Sequence, residues 1–340
     1  MPEPTTRRPR RIGPPGPRLK FFRVACRFPI SPLVVKSEGA RDAPTTTGET
    51  TMKTALLAAA LALGFAGVAQ AETARINGLD MYYEVHGEGE PLVLLHGAYM
   101  SIDSNWAGLI PTLAKDHKVI AVELQSHGHT SDRDTPITYE GMSDDVAALL
   151  DELKIDKAAL FGFSMGGGVA IRFAIDHPEK VIRIVAASAG YKYDEETMGP
   201  DFMKMIEGIT PEMFANTPFE GEFKRLNPHP ENFPVLVEKL KQLDLTTFDW
   251  SADFKKISVP TLYIYGDADI AGLDYIAKHH QAAGGLVNGD MLGLPKTQLL
   301  VLPGTSHINV FFNPANVEIM KAVVPAFLKQ ELPAKPSFPG

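Results

Sequence analysis

The chain has 340 residues, 44% hydrophobic and 22% charged, which is typical of a globular protein and allows one large α/β domain or two smaller ones. Its formal net charge is −8. The first 71 residues hold 11 of the 33 Lys and Arg but only 4 of the 41 Asp and Glu, so the remaining chain carries a net charge near −15. So acidic a surface argues against nucleic acid and anionic membranes as partners.

The N-terminal 71 residues differ from the rest of the chain. Residues 1–51 are rich in proline and arginine and show no periodicity, which suggests an upstream extension that is not native to the protein, or a disordered one. Residues 52–71 have a short basic start, an apolar run of about 14 residues and an A-x-A end, the pattern of a secretory signal peptide. We therefore expect cleavage after Ala71, a periplasmic or secreted protein, and no stable membrane insertion. The single cysteine, Cys26, lies in the removed part.

After residue 72 the sequence alternates between apolar runs and helical patterns. Asn77-Gly78 is a strong hairpin-turn signal between two short strands. Continuous apolar strands separated by helices predict a mostly parallel sheet covered on both faces. The expected strands are 92–95, 119–124, 158–163, 181–186, 261–265 and 298–302, and the expected helices are near 105–115, 138–153, 166–177, 272–283 and 314–330.

Residues 191–256 interrupt this alternation. They contain no strong strand, several prolines and recurring methionines and phenylalanines, which predicts a small helical cap inserted between two core strands. Most of these apolar side chains pack the cap onto the body, but some are expected to line an adaptable apolar pocket, because methionine tolerates irregular shapes. The domain is expected to cover 72–331, with a C-terminal tail at 332–340.

The stretch Gly162-Phe163-Ser164-Met165-Gly166 matches the pattern G-x-S-x-G, follows an apolar strand and opens a helical pattern. A serine there lies on a tight strand-to-helix turn, with its hydroxyl above the carboxyl ends of the strands and at a helix N-terminus. We therefore identify Ser164 as the candidate nucleophile.

A serine hydroxyl needs a base, and the base needs a third group that orients it. The expected chain order on this architecture is serine, acid, histidine. His307 follows the strand at 298–302 and is the expected general base and then acid. Asp269, after the strand at 261–265, is the expected orienting acid, and Asp267 is its competitor.

Acyl transfer also needs donors for the developing oxyanion. The N–H of Met165, directly after the nucleophile, is one expected donor, and the N–H of Ala98, after the strand that ends in His96-Gly97, is the other. No metal-ligand spacing is present, so neither a metal nor another cofactor is expected.

Together these stretches resemble the α/β-hydrolase superfamily over residues 72–331. The matching pieces are HGAY at 96–99, ELQSHGHTSD at 123–132, GFSMGGG at 162–168, GDAD at 266–269 and PGTSH at 303–307. The resemblance implies an α/β-hydrolase fold with an eight-stranded sheet, and a covalent acyl-enzyme route with Ser164, Asp269 and His307 in the triad positions. The chain departs from the family at Glu123 and Ser126, which replace an Asp and a Gly, and in the long segment 282–296.

Serine at position 164 argues against haloalkane dehalogenases and epoxide hydrolases, which use aspartate there. The local sequence is most similar to the esterase, enol-lactonase and haloperoxidase-like group. The leading hypothesis is a secreted serine hydrolase that acts on small, apolar carboxylic esters or lactones. The alternatives are a cofactor-free haloperoxidase or perhydrolase, a carbon–carbon bond hydrolase, and a ligand-binding pseudo-hydrolase without turnover.

Overall fold

A computed structural model of the protein describes residues 70–331. The predicted extension 1–51, the tail 332–340 and residues 52–69 of the predicted signal peptide lie outside the described residues.

The core of the fold is one eight-stranded sheet, as the resemblance implied. Its strands are β1 (Gln70–Ile76), β2 (Leu79–His86), β3 (Glu90–Leu95), β4 (His117–Val122), β5 (Ala158–Phe163), β6 (Val181–Ala187), β9 (Thr261–Ala268) and β10 (Thr297–Ser306). Their spatial order is β1-β2-β4-β3-β5-β6-β9-β10, with β2 antiparallel to both neighbours and all other pairs parallel. All six predicted core strands belong to this sheet.

The predicted hairpin turn joins β1 and β2. Asn77 and Gly78 have φ values of 46° and 88°, the left-handed pair that a tight two-residue hairpin requires. The turn sets the register that pairs Ile76 with Leu79.

Helices cover both faces of the sheet and enclose two apolar clusters. One face carries α3 (Tyr139–Glu152), α4 (Met165–Asp176) and α9 (Leu273–Ala282). The other face carries α1 (Ile102–Trp106), α2 (Ile110–Leu113), α11 (Asn309–Phe312) and α12 (Pro314–Lys329). Such double coverage explains why the parallel strands are continuously apolar in sequence.

The expected single helix at 105–115 is wrong, because two short helices, α1 and α2, occupy this region. Gly108 lies between them, and Pro111 occupies the first turn of α2. Glycine disfavours helix and proline has no N–H to donate to the preceding turn, so the chain restarts its helix at Ile110.

Between β6 and β9 the chain forms the region expected to be a cap. Its elements are β7 (Lys192–Tyr193), α5 (Glu195–Met198), α6 (Pro200–Glu207), a 3-10 turn (Pro211–Phe214), α7 (Pro218–Leu226), α8 (Phe233–Leu245) and β8 (Phe248–Asp249). β7 and β8 pair as a short antiparallel ribbon that the sequence did not predict. Prolines begin most of these helices, at positions where a missing N–H costs nothing.

Candidate active site

Ser164 lies at the turn between β5 and α4, as its sequence context predicts. Its φ and ψ are 52° and −117°, a conformation that non-glycine residues rarely adopt. The flanking glycines permit this turn, since a β-carbon at Gly162 would lie 2.0 Å from the carbonyl oxygen of Gly166. A β-carbon at Gly166 would lie 2.1 Å from the carbonyl oxygen of Leu95. The strained turn therefore depends on side-chain-free neighbours on both sides.

Replacing Gly166 with alanine is expected to lower the free energy of unfolding by about 3 kcal/mol or more, because the atoms that the new methyl group would meet belong to the backbone. The matched control is Gly221→Ala in α7, where nothing lies within 4 Å of an added β-carbon. Alanine is the better helix former, so this control is expected to gain about 0.5–1 kcal/mol. Urea unfolding measures both changes, and equal effects would contradict the role given to Gly166.

Ser164, His307 and Asp269 form a continuous hydrogen-bonded chain. Nε2 of His307 lies 2.9 Å from Oγ of Ser164, and Nδ1 of His307 lies 2.7 Å from Oδ1 of Asp269. Because the carboxylate can only accept, Nδ1 carries its proton and Nε2 is free to accept the serine proton. The His307 side chain is 20% exposed, so the histidine also faces the cavity from which a substrate would arrive.

Asp269 is almost fully enclosed, with a side chain that is 2% exposed. Its Oδ2 accepts the hydroxyl of Ser188 at 2.6 Å, and its Oδ1 also accepts the N–H of Ile270 at 2.8 Å. Burial acts to raise the pKa of this carboxyl, but the hydrogen bond and charge of His307, together with the other donors, hold the pKa below its ordinary value. Asp269 is therefore a fixed negative charge behind the imidazole.

Ser188 is a residue of this network that the sequence analysis missed. It follows β6 directly and has a φ of 51°. Since β5, β6 and β9 are neighbours in a parallel sheet, the residue after β6 lies at the same edge as Ser164 and Asp269. The strand-end logic that located Asp269 would have located Ser188 as well.

Asp267, the competing acid, is held elsewhere. Its Oδ1 accepts the N–H of Thr305 at 2.9 Å. Hydrogen bonds from the backbone of Gly304 and Thr305 lower its pKa. The carboxylate of Asp267 thus holds the end of β10, directly before His307, while Asp269 accepts the hydrogen bond from the imidazole.

The two expected oxyanion donors line the same cavity as Ser164. Within residues 70–331, no acceptor is bonded to the N–H of Ala98 or of Met165, so both are free for a ligand oxygen. Met165 is the first residue of α4, where the helix dipole adds positive potential.

Two buried histidines hold the loop that carries Ala98. Nε2 of His96 accepts the N–H of Leu124 at 3.0 Å, and Nε2 of His127 accepts the N–H of Tyr99 at 3.2 Å. Burial lowers the pKa of His96 to about 3 and that of His127 to about 4, so both rings are neutral and can accept these bonds. The loop geometry therefore does not change with protonation near neutral pH.

The departure from the family turn at 123–132 is accommodated locally. The carboxylate of Glu123 is buried. It accepts the backbone N–H of His129 at 2.5 Å and the ring Nδ1–H of the same histidine at 2.9 Å. A β-carbon at Gly128 would lie 2.1 Å from that carboxylate. Ser126 adopts a φ of 65°, so it keeps the left-handed backbone that a glycine would supply.

A cavity of about 610 Å³ lies over Ser164, between the sheet edge and the cap. Six of the eleven methionines and phenylalanines of residues 191–256 line it, namely Met198, Phe202, Met205, Phe214, Phe219 and Phe248. No residue of the segment 282–296 lines this cavity. That segment is a surface loop with the short helix α10 (Gly289–Leu292), and its Met291 and Leu292 are exposed.

Asp244, in the last turn of α8, lines the cavity as well and was not predicted. Burial raises the pKa of this carboxyl to about 7, and the charge of His307 opposes the shift only in part. At neutral pH, Asp244 is therefore protonated and neutral in a substantial fraction of the molecules.

Asp244→Asn is expected to stabilise the protein at pH 8 by about 1–3 kcal/mol, the lower part of the linkage range because the cavity admits water. The pKa of Asp244 is higher in the folded than in the unfolded chain, so its stabilising contribution is complete near pH 4 and is lost as the pH rises through about 7. The gain from asparagine should therefore shrink towards pH 4. Urea unfolding at both pH values measures it, and a gain independent of pH would contradict the shifted pKa.

Within the described part of the chain, no group of three His, Cys, Asp or Glu side chains could hold a metal ion. Among residues 70–331, no helix has the length and hydropathy needed to cross a bilayer.

Comparisons with known proteins point to the same fold. Residues 90–239 match the family model described as alpha/beta hydrolase fold. A pimeloyl-[acyl-carrier protein] methyl ester esterase of Legionella pneumophila (strain Lens) is 30% identical over 212 residues, which cover 56% of this chain and 80% of the relative. A 2-hydroxymuconate semialdehyde hydrolase of Pseudomonas sp. (strain CF600) is 38% identical over 112 residues, which cover 32% of this chain and 39% of the relative.

Among solved structures, the enol-lactonase from Burkholderia xenovorans LB400 aligns with a TM-score of 0.54 and 21% identity. The alignment covers 76% of this chain and 100% of the other. At this identity the likeness concerns the fold alone.

Proposed function

The chain belongs to the α/β-hydrolase superfamily, and we propose that it is a serine hydrolase that cleaves small carboxylic esters or lactones through an acyl-enzyme on Ser164. The observation that carries the proposal is the chain of hydrogen bonds from Ser164 through His307 to Asp269, beside two unbonded N–H groups. The similarity to a methyl ester esterase supports ester hydrolysis.

In the proposed reaction, Oγ of Ser164 attacks the ester carbonyl carbon while Nε2 of His307 takes the serine proton. The carbonyl oxygen becomes an oxyanion, which accepts the N–H groups of Ala98 and Met165. The C–O bond to the alcohol breaks, and His307 returns the proton to the leaving oxygen. His307 then deprotonates a water molecule, which attacks the acyl carbon and releases the carboxylic acid and free Ser164.

A panel of 4-nitrophenyl esters with short to long acyl chains, simple lactones and a peracid assay tests this proposal. Hydrolysis of an ester or lactone that disappears in Ser164→Ala is the expected result. Peracid formation without ester hydrolysis would favour the perhydrolase alternative. Binding of an ester with no turnover by the wild-type protein would favour a pseudo-hydrolase, and either outcome would overturn the proposal.

Carbon–carbon bond hydrolysis is the second candidate, favoured by the similarity to a 2-hydroxymuconate semialdehyde hydrolase over about a third of the chain. The same three residues would serve, with an enolate-stabilised carbanion as the leaving group, which takes the proton from His307. Turnover of a vinylogous diketone in preference to any ester of the panel would favour this reaction. If the protein cleaves none of these diketones, ester hydrolysis remains the proposed activity.

We also propose that the protein is exported. The support is the signal-peptide pattern at 52–71, which ends two residues inside β1. Cleavage after Ala71 leaves Glu72, whose carboxylate accepts the hydroxyl of Tyr83, as the first residue of the strand. N-terminal sequencing of the exported protein should begin at Glu72, and recovery of Met1 in the mature protein would contradict export by this signal.

A further inference from the structure

Asp244 is a carboxylate in the substrate cavity that the proposed reaction does not use. It lies on the cap side, on α8, whereas Ser164, Asp269 and His307 lie on the sheet edge. Among the described residues, none donates a hydrogen bond to Asp244 or forms an ion pair with it. Asp244 is half-buried and lines the cavity, so the partner that the protein does not provide for this carboxylate would have to come from a molecule in the cavity.

Two tyrosine hydroxyls share this situation. Oη of Tyr99, on the oxyanion loop, and Oη of Tyr193, on β7, are buried and have no hydrogen-bond partner among the described residues. Burial raises the pKa of both phenols, and the charge of Asp244 raises them further. Both hydroxyls therefore lie within electrostatic reach of Asp244 but do not bond to it. Tyr99, Tyr193 and Asp244, from three separate elements, thus line one cavity and leave polar oxygens without a hydrogen-bond partner among the described residues.

Aromatic rings form part of the same cavity wall. The rings of Tyr99 and Phe214 lie 4.5 Å apart between centroids, and those of Tyr139 and Phe248 lie 5.3 Å apart. All four rings line the cavity. Aromatic faces carry negative electrostatic potential and attract cations more strongly when water is excluded.

No cation of the cavity wall neutralises Asp244. Lys192 is the one lysine or arginine among the described residues that line the cavity. Its ammonium group is paired with Asp194 at 3.0 Å and with Glu196 at 3.1 Å. His307 is engaged with Asp269 and Ser164. The cavity therefore presents a carboxylate without a counter-ion among the described residues, in a wall that also carries aromatic rings.

On the premise that Ser164 cleaves esters, we propose that the preferred substrate carries a cationic ammonium group at the end remote from the ester, with Asp244 as its counter-ion. Such a group satisfies the carboxylate by charge and lies against the aromatic faces of the cavity. The acidic chain, with a formal net charge of −8, also favours the approach of a cation.

The test uses two 4-nitrophenyl esters that differ in one atom, the 6-(trimethylammonio)hexanoyl ester and its uncharged tert-butyl isostere, the 7,7-dimethyloctanoyl ester. The charge of the first does not depend on pH, and neither ester can react with itself. The quantity measured is the ratio of kcat/KM for the charged ester to that for the uncharged ester. Any effect on Ser164 or His307 chemistry is common to both esters and cancels in this ratio.

Asp244→Asn is expected to lower this ratio by about tenfold to a hundredfold, because it removes the counter-ion and keeps the side-chain shape. The control is Asp156→Asn, which removes the same formal charge from an exposed residue that precedes β5, at the opposite edge of the sheet. This control should leave the ratio unchanged. An unchanged ratio in Asp244→Asn would overturn the inference without touching the proposed function.

The pH dependence gives a second readout of the same ratio. Asp244 ionises as the pH rises through about 7, so the wild-type ratio should rise between about pH 6 and pH 8. The other titratable groups around it are Tyr99, Tyr139 and Tyr193, whose pKa values are raised, and His307, which acts on both esters alike. The ratio in Asp244→Asn should be flat. A ratio that falls with pH in the wild type would instead indicate a neutral acceptor bound by the protonated acid.

If neither ester is turned over, the proposed function is contradicted, but the inference about Asp244 can still be tested by binding. Isothermal titration with n-hexylammonium and with 1-hexanol compares a charged and an uncharged occupant. The wild type should bind hexylammonium at least about tenfold more tightly than hexanol, and Asp244→Asn should lose that difference. Equal binding of both compounds by the wild type would overturn the inference.

Discussion

Replacing Ser164 with alanine is expected to lower kcat for ester hydrolysis by a factor on the order of 10⁴ or more. The substitution removes the atom that forms the acyl-enzyme, while the two unbonded N–H groups of Ala98 and Met165 still bind the substrate oxygen. A measurable residual rate above that in water is therefore expected. Steady-state kinetics with the best ester of the panel measures the loss.

The matched control is Ser258→Ala, because Ser258 is exposed and precedes β9 at the edge of the sheet remote from the cavity. It should retain the wild-type rate. Retention of most ester hydrolysis by Ser164→Ala, with the control also active, would mean that the reaction does not pass through Ser164.

Replacing Asp269 with asparagine is expected to lower kcat by a factor on the order of 10³–10⁴. The amide is nearly the same size, but it can donate to Nδ1 of His307, which places the imidazole proton on Nε2, where it cannot accept from Ser164. It also removes a negative charge that stays in place in the wild type, since the pKa of Asp269 is held below its ordinary value.

Asp267→Asn supplies the comparison for this prediction. Asp267 lies two residues before Asp269, near the end of β9, but its carboxylate accepts the backbone N–H of Thr305. Asp267→Asn should change kcat by no more than a few-fold, because the oxygen of the new amide can still accept the N–H of Thr305. A greater loss in Asp267→Asn than in Asp269→Asn would contradict this assignment and give the orienting role to Asp267.

Much of the candidate site could be predicted because its residues follow parallel strands. Ser164, Asp269 and His307 each come after an apolar run, and the carboxyl ends of neighbouring parallel strands meet at one edge of the sheet. The glycines around Ser164 gave an independent indication, since only they fit the observed close approaches of backbone to backbone. Residues far apart in the sequence can therefore be predicted to meet in one site when each of them follows a strand of the same parallel sheet.

The missed residues reach the site by packing that no local pattern encodes. Asp244 lies in an amphipathic helix, where a charged residue ordinarily faces solvent, and only the placement of the cap over the sheet turns it towards the cavity. His127 holds the N–H of Tyr99 across 28 positions of the chain. The helix break between Trp106 and Ile110 was missed because periodicity outweighed Gly108 and Pro111 in the prediction.

The most direct test of the central claim is labelling with an alkyl fluorophosphonate, followed by mass mapping of the peptides. The proposed nucleophile predicts one label per chain, on Ser164, formed much faster in the wild type than in His307→Ala, because the imidazole of His307 must take the serine proton. A label on another residue, or equal labelling rates in the two proteins, would contradict Ser164 as the activated nucleophile.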